Sequence, residues 1–142
     1  MPVQVSRARA YRTSSTQSIP HAIWTKVELD AETYDAQNEF DSSSNYRFIA
    51  KRAGYYLVNA SIRYNSPVSG AQYAIGIYKN GVPVTCSINE GQTYALSTNI
   101  SDIIYLDAGD YLELWTYHES GAAKNIENAS KYTFMSIHKL SD

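Results

Sequence analysis

The chain has 142 residues, a formal net charge of −2, one cysteine and thirteen tyrosines. Its length suits one domain able to bury a core of its own. One thiol excludes an internal disulfide framework, and the weak negative balance excludes a global attraction to nucleic acid.

The opening Met1-Pro2-Val3-Gln4-Val5-Ser6 lacks the apolar run of a secretory signal. No later stretch approaches the ~20 apolar residues of a membrane helix. The expectation is a soluble protein made in a cytoplasm, with no membrane partner. All six arginines lie at or before Arg63, and three of them, Arg7, Arg9 and Arg12, fall near the start. Residues 1–10 read as a mobile basic arm before a domain spanning 11–142. Arg7, Arg9 and Arg12 would dock the arm on an acidic protein surface, since they have no aromatic platform nearby for nucleic acid.

Short alternating runs separated by turn chemistry predict an all-β sandwich. The predicted strands cover 8–13, 22–29, 46–50, 55–65, 72–78, 94–106, 111–117 and 131–140. Residues 31–45 and 119–130 are polar and read as loops. Asn80-Gly81 suits a tight hairpin, and Asp107-Ala108-Gly109-Asp110 a turn with Gly109 in left-handed geometry.

The strand after Gly54 is the clearest. Tyr56, Val58, Ala60, Ile62 and Tyr64 share one face; Tyr55, Leu57, Asn59, Ser61 and Arg63 share the other. In 111–117, Leu112, Leu114 and Thr116 oppose Tyr111, Glu113, Trp115 and Tyr117. In the last strand Thr133, Met135 and Ile137 oppose Tyr132, Phe134 and Ser136. The aliphatic faces make a core, and the aromatic faces ask for a second subunit to cover them.

Catalytic chemistry has little to stand on. His21, His118 and His138 are scattered, and none has the spacing of a zinc pair. Cys86 has no base assigned to it by spacing. The protein is therefore expected not to be an enzyme and to carry no cofactor. Glu28, Asp30, Glu32, Asp35, Glu39 and Asp41 form a run without a base. Calcium, a hard cation that takes oxygen ligands, is the ion such a run could hold, but the spacing of an EF-hand loop is absent.

The order of several short motifs resembles the complement C1q and tumour necrosis factor jelly-roll superfamily, especially its bacterial and phage-encoded C1q-like members. Phe48, Gly54 and Tyr56 stand where that family has phenylalanine followed by Gly-x-Tyr at the head of a long strand. Lys79-Asn80-Gly81 matches its hairpin, Leu106 with Ala108-Gly109-Asp110 its strand-ending turn, and Phe134 its closing strand. Ser136 stands where the family usually has glycine. The segment from Thr25 to Asp35 is similar to the phage-type version.

The resemblance implies a two-sheet antiparallel jelly roll of about ten strands, assembled as a compact homotrimer. By position, Tyr55, Leu57, Tyr111, Trp115, Tyr117 and Phe134 would form the trimer interface. The function it suggests is a non-enzymatic virion structural protein, a cement or decoration protein of a phage capsid. Its partners would be its own copies and the major capsid protein or another virion protein, at the virion surface. The alternative is the tip of a phage fibre or bacterial appendage, binding a host receptor or glycan with help from Tyr73, Tyr94 and Tyr132. A third reading is a cellular C1q-like protein.

Overall fold

Tyr56, Val58, Ala60, Ile62 and Tyr64 are each at most 4% exposed, the burial that the alternation after Gly54 requires. The structure, a computed structural model, describes residues 5–142. It contains thirteen strands among those residues and no helix. In chain order they are β1 (Arg7–Tyr11), β2 (Gln17–Ile19), β3 (Thr25–Lys26), β4 (Ala31–Asp35), β5 (Phe40–Asp41) and β6 (Arg47–Ile49). There follow β7 (Gly54–Tyr64), β8 (Gln72–Lys79), β9 (Val82–Glu90), β10 (Leu96–Leu106), β11 (Tyr111–His118), β12 (Lys124–Ile126) and β13 (Phe134–Ser141). The count exceeds the expected ten because short pieces such as β3 and β5 are set apart by turns.

Two antiparallel sheets result. The first runs β2-β12-β7-β13-β1-β4, with β10 also paired to β7. The second runs β5-β6-β11-β8-β9, with β3 on β11. β7 anchors the first sheet: β10 follows it from Leu96 opposite Tyr64 to Leu106 opposite Gly54, and β13 pairs it from Phe134 opposite Ser61.

The inner faces interleave into one core. β7 packs with Ile104 and Leu106 of β10 and Met135 and Ile137 of β13, against Leu112 and Leu114 of β11 and Ile75 and Ile77 of β8. Each such side chain contributes roughly 1.5–3 kcal/mol by leaving water. Polar groups enter this core with partners. The Tyr64 hydroxyl lies 2.7 Å from that of Thr116, which also reaches the Ala74 carbonyl at 2.8 Å. His118 is fully buried, with Nε2 2.8 Å from the Ile19 carbonyl oxygen and Nδ1 3.0 Å from the Ser120 hydroxyl.

Several expectations are corrected. Of the predicted mobile arm, residues 1–4 lie outside the described residues, and the rest is not an arm. Arg7–Tyr11 is β1, hydrogen-bonded between β13 and β4. It carries Ala8 and Ala10 into the core, so the domain begins ahead of residue 11. Strand 22–29 shrinks to Thr25–Lys26, because Ala22 turns the chain at a φ of 57°. The predicted loops 31–45 and 119–130 yield β4, β5 and β12. β9 occupies a stretch where no strand was predicted beyond the Asn80-Gly81 hairpin.

Candidate assembly surface

The outer face of the first sheet is built in rows by its register. Tyr105 opposes Tyr55, and Ile103 opposes Leu57, which in turn faces His138 on β13. Tyr55, Ile103 and Tyr105 are 47, 55 and 41% exposed, an apolar patch across two hydrogen-bonded strands. The Tyr55 and Tyr105 rings meet edge to face with centroids 5.1 Å apart. The next row is small and polar: Ser101, Asn59, Ser136 and Arg9 stand side by side. After it come Asn99, Ser61, Phe134 and Tyr11. A shallow depression of about 420 Å³ opens here, lined by Asn59, Asn99, Ser101 and Phe134.

The second sheet presents a different surface. Tyr111, Glu113, Trp115 and Tyr117 point outward from β11, but their rings are largely used within the chain. Arg47 lies over Tyr111 at 4.0 Å, and Trp115 stacks on Tyr78 at 4.7 Å. Trp24 packs on Tyr117 at 5.4 Å and on Tyr78 at 5.8 Å. Gly76 makes room for that ring: a Cβ there would lie 3.2 Å from Trp24 Cζ3. Beneath the ladder, the buried Glu113 carboxylate accepts from Arg47 at 2.9 and 2.7 Å, Lys26 at 3.1 Å and Trp115 Nε1 at 3.1 Å. Burial alone would raise its pKa, but these donors overcome that and hold it below the usual value.

The six residues assigned to a trimer interface therefore divide. Tyr55, Leu57 and Phe134 lie on the outer face of the first sheet; Tyr111, Trp115 and Tyr117 lie on the outer face of the second. Sequence alternation identifies outward residues but carries no information on which sheet a strand joins. Ile103 and Tyr105, which complete the first patch, were missed. They sit in a strand expected from its alternation whose outer face went unread.

The arginines are drawn inward as well. Arg12 is 9% exposed and donates to the carbonyls of Ser15 at 2.9 Å and Glu28 at 3.2 Å, with Asp30 3.6 Å away. Arg9 donates to the Ser130 carbonyl at 2.7 Å and lies over Phe134 at 4.2 Å. Of the three, Arg7 is exposed, opposite His138.

The acidic run is spent on loop geometry. Asp35 accepts the backbone N–H groups of Glu39 and Phe40, both at 2.8 Å. Asp41 caps the turn that follows, and the N–H donors of Ser43, Ser44 and Asn45 hold its carboxyl far below the usual range. Among the described residues no group of three or more His, Cys, Asp or Glu side chains could hold a metal ion. The proposed glycan platform also separates. Tyr73 is fully buried, its hydroxyl bound by Val68 N–H at 2.7 Å; Tyr94 is 82% exposed; Tyr132 lies under Arg63. Cys86 is exposed on β9.

Topology and surface together define an all-β jelly roll of the tumour necrosis factor and C1q type. Over 99% of the chain it superposes on the Eiger TNF of S. frugiperda, covering 95% of that chain with a TM-score of 0.71 at 14% identity. Murine APRIL at pH 5.0 gives a TM-score of 0.71 at 13% identity, covering 96% of this chain and 100% of that one. No family model matches the sequence.

Two relatives in Bacillus subtilis (strain 168) are each 27% identical to this chain. The uncharacterized protein YqcC aligns with 90% of it, and the phage-like element PBSX protein XkdV with 74%. The alignments span 38% of YqcC and 16% of XkdV, so the matched segment is a minority of each relative.

Proposed function

We propose that the protein is a non-enzymatic structural module of a phage-type particle, which assembles as a homotrimer and decorates the particle's head surface. The observation that carries this reading is the patch of exposed Tyr55, Ile103 and Tyr105 with half-buried Leu57, on a jelly roll similar in sequence to a phage-element protein. Aromatic and aliphatic side chains gathered on one open sheet face are unfavourable in water and favourable in an interface. A permanent interface needs more than ~2,000 Å² in all, with an apolar centre. The adjoining polar rows extend the surface toward that size. The partners would be two further copies and a capsid protein or another virion protein.

The relatives' length favours a second reading. A head carried within a longer chain is the arrangement that a fibre or appendage tip requires, with the exposed loops turned to a receptor or glycan.

Sedimentation velocity tests the assembly. Wild type should sediment as a trimer at micromolar concentration. Ile103→Asp should dissociate it with the circular dichroism spectrum unchanged, because a desolvated carboxylate without a partner is costly. Trp115→Asp, on the other face, should destabilise the fold instead. A monomeric wild type, or a trimer indifferent to Ile103→Asp, would remove this surface from the interface. Binding to purified capsids without glycan-array hits supports decoration; the converse supports a tip.

A further inference from the structure

Sheet order places β4 and β5 at the edges away from β10 and β9. There the Ser42 hydroxyl, just after β5, donates to Glu32 of β4 at 2.7 Å. The two edges border a cavity of about 490 Å³ whose lining includes Glu32, Glu39, Phe40, Asp41, Ile49 and Lys51. Three carboxylates against one ammonium make it electronegative. The ammonium is turned aside, since Lys51 Nζ donates to the Gln37 carbonyl at 2.7 Å.

Glu39 is the unusual member. It is 3% exposed, and Oε2 accepts the Lys51 backbone N–H at 2.9 Å. Its other oxygen, Oε1, is shielded from solvent and receives no donor from the protein. Buried carboxylate oxygens are nearly always hydrogen-bonded, because an unpaired one forfeits its hydration without return. A free oxygen on a residue lining an acidic cavity is a site that wants an N–H.

We propose that this cavity binds an organic cation, the lysine or arginine side chain of a partner protein, with Glu39 as its counter-ion. A bare metal ion suits the site poorly. It needs several oxygens converging at short range, whereas Asp41 is committed to its own turn and, among the described residues, no three acidic groups converge closely enough to hold a metal ion. A side-chain cation suits it well. Its alkyl stem can lie against Phe40 and Ile49, the latter 40% exposed, while its head supplies several N–H donors. A guanidinium also sheds water more readily than an ammonium or a metal ion. Glu32 and Ser43 of the lining are exposed, so a side chain can enter from outside, and the Glu39 carboxyl would turn Oε1, now shielded, to meet its head. This reverses the polarity expected of the N-terminal arginines, because the chain offers the acidic partner and not the basic one. It does not depend on the assembly proposed above.

The test is a two-dimensional amide NMR titration of the full chain with N-acetyl-arginine methylamide. Its neutral citrulline analogue, spermidine and calcium chloride are titrated in parallel. The arginine derivative should shift the Glu39, Ile49 and Lys51 amides saturably, and the citrulline analogue should not. Glu39→Gln keeps an acceptor for Lys51 N–H and should weaken binding at least about tenfold. Should that variant fail to fold, the exposed Glu32→Gln should still weaken binding about twofold or more. Equal binding by citrulline, or indifference to both substitutions, overturns the proposal. Tighter binding of spermidine than of the arginine derivative would overturn the partner side chain in favour of a free polyamine. Calcium shifting the same amides more strongly would overturn the organic cation altogether.

Discussion

Glu113→Gln puts the polar cluster under the second sheet to a quantitative test. The side chain is 3% exposed and its carboxylate gathers Arg47, Lys26 and the indole N–H of Trp115. Breaking a buried pair by removing one partner costs roughly 3–5 kcal/mol, because the remaining charge is stranded. Here Arg47 and Lys26 are 24 and 26% exposed, so water can recover part of their solvation. Glutamine also keeps one acceptor, though its amide must face a donor. The expected loss is therefore about 2–3 kcal/mol at pH 7. For a domain of this size that lowers Tm by about 5–10 °C.

Urea unfolding at fixed protein concentration measures the loss, and its pH dependence supplies a second check. The folded pKa of Glu113 lies below the ordinary value of 4.5. Its contribution is thus fully present above about pH 4.5 and fades as pH falls through the folded pKa. The gap between wild type and Glu113→Gln should narrow in the same window, because acid protonates the wild-type carboxylate while glutamine does not titrate. A loss under ~0.5 kcal/mol at pH 7, typical of an exposed site, would refute the reasoning. So would a gap that stays constant down to pH 3.

Gly54→Ala should abolish soluble expression or cost more than ~3 kcal/mol, read by thermal unfolding, since its Cβ would sit 2.3 Å from the Ser141 carbonyl oxygen. Arg12→Ala should cost about 1–3 kcal/mol in urea, because it removes the bonds of a buried guanidinium to the carbonyls of Ser15 and Glu28. A surface arm residue would cost almost nothing. Burial lowers the pKa of His118 and outweighs its bond to Ile19, so the folded state holds the ring neutral. Stability should therefore fall as pH drops below about 6.5, with a slope of up to ~1.4 kcal/mol per pH unit, until the folded pKa is passed. His118→Gln should flatten that part of the profile, and NMR titration of the ring should show its midpoint below 6.5.

The strands that bury a face were legible because burial writes a period into the sequence. β7 and β11 show it clearly, with core-facing residues such as Val58, Ile62, Leu112 and Leu114 at every second position. The edge strands show nothing comparable. β9 exposes Val82, Val84 and Ile88 and contains Pro83, so neither side selects a pattern. β4 is polar and held by backbone bonds to β1, which leave no trace in side-chain identity. The assembly surface was half legible for a related reason. Tyr55 and Leu57 follow from the alternation of one strand, whereas joining them to Ile103 and Tyr105, and separating them from Trp115, needs the pairing of distant strands. The same holds for Arg12, whose partners lie on a neighbouring loop. The Glu39 cavity was least legible of all. The acidic run announced charge, but only the fold shows that Asp35 and Asp41 are occupied while one oxygen of Glu39 is not.

The pairing of β1 with β13, Arg7 opposite His138, sets an order on synthesis. One flank of β1 and one flank of β7 must wait for Phe134–Ser141, the last strand of the sheet in chain order, before their backbone groups find partners. Until then the nascent sheet carries two open edges that can zip onto a neighbouring chain. Folding should accordingly be slow, governed by contacts between strands far apart in the sequence. A ribosome that stops before β13 would release an aggregation-prone fragment and not a smaller working head.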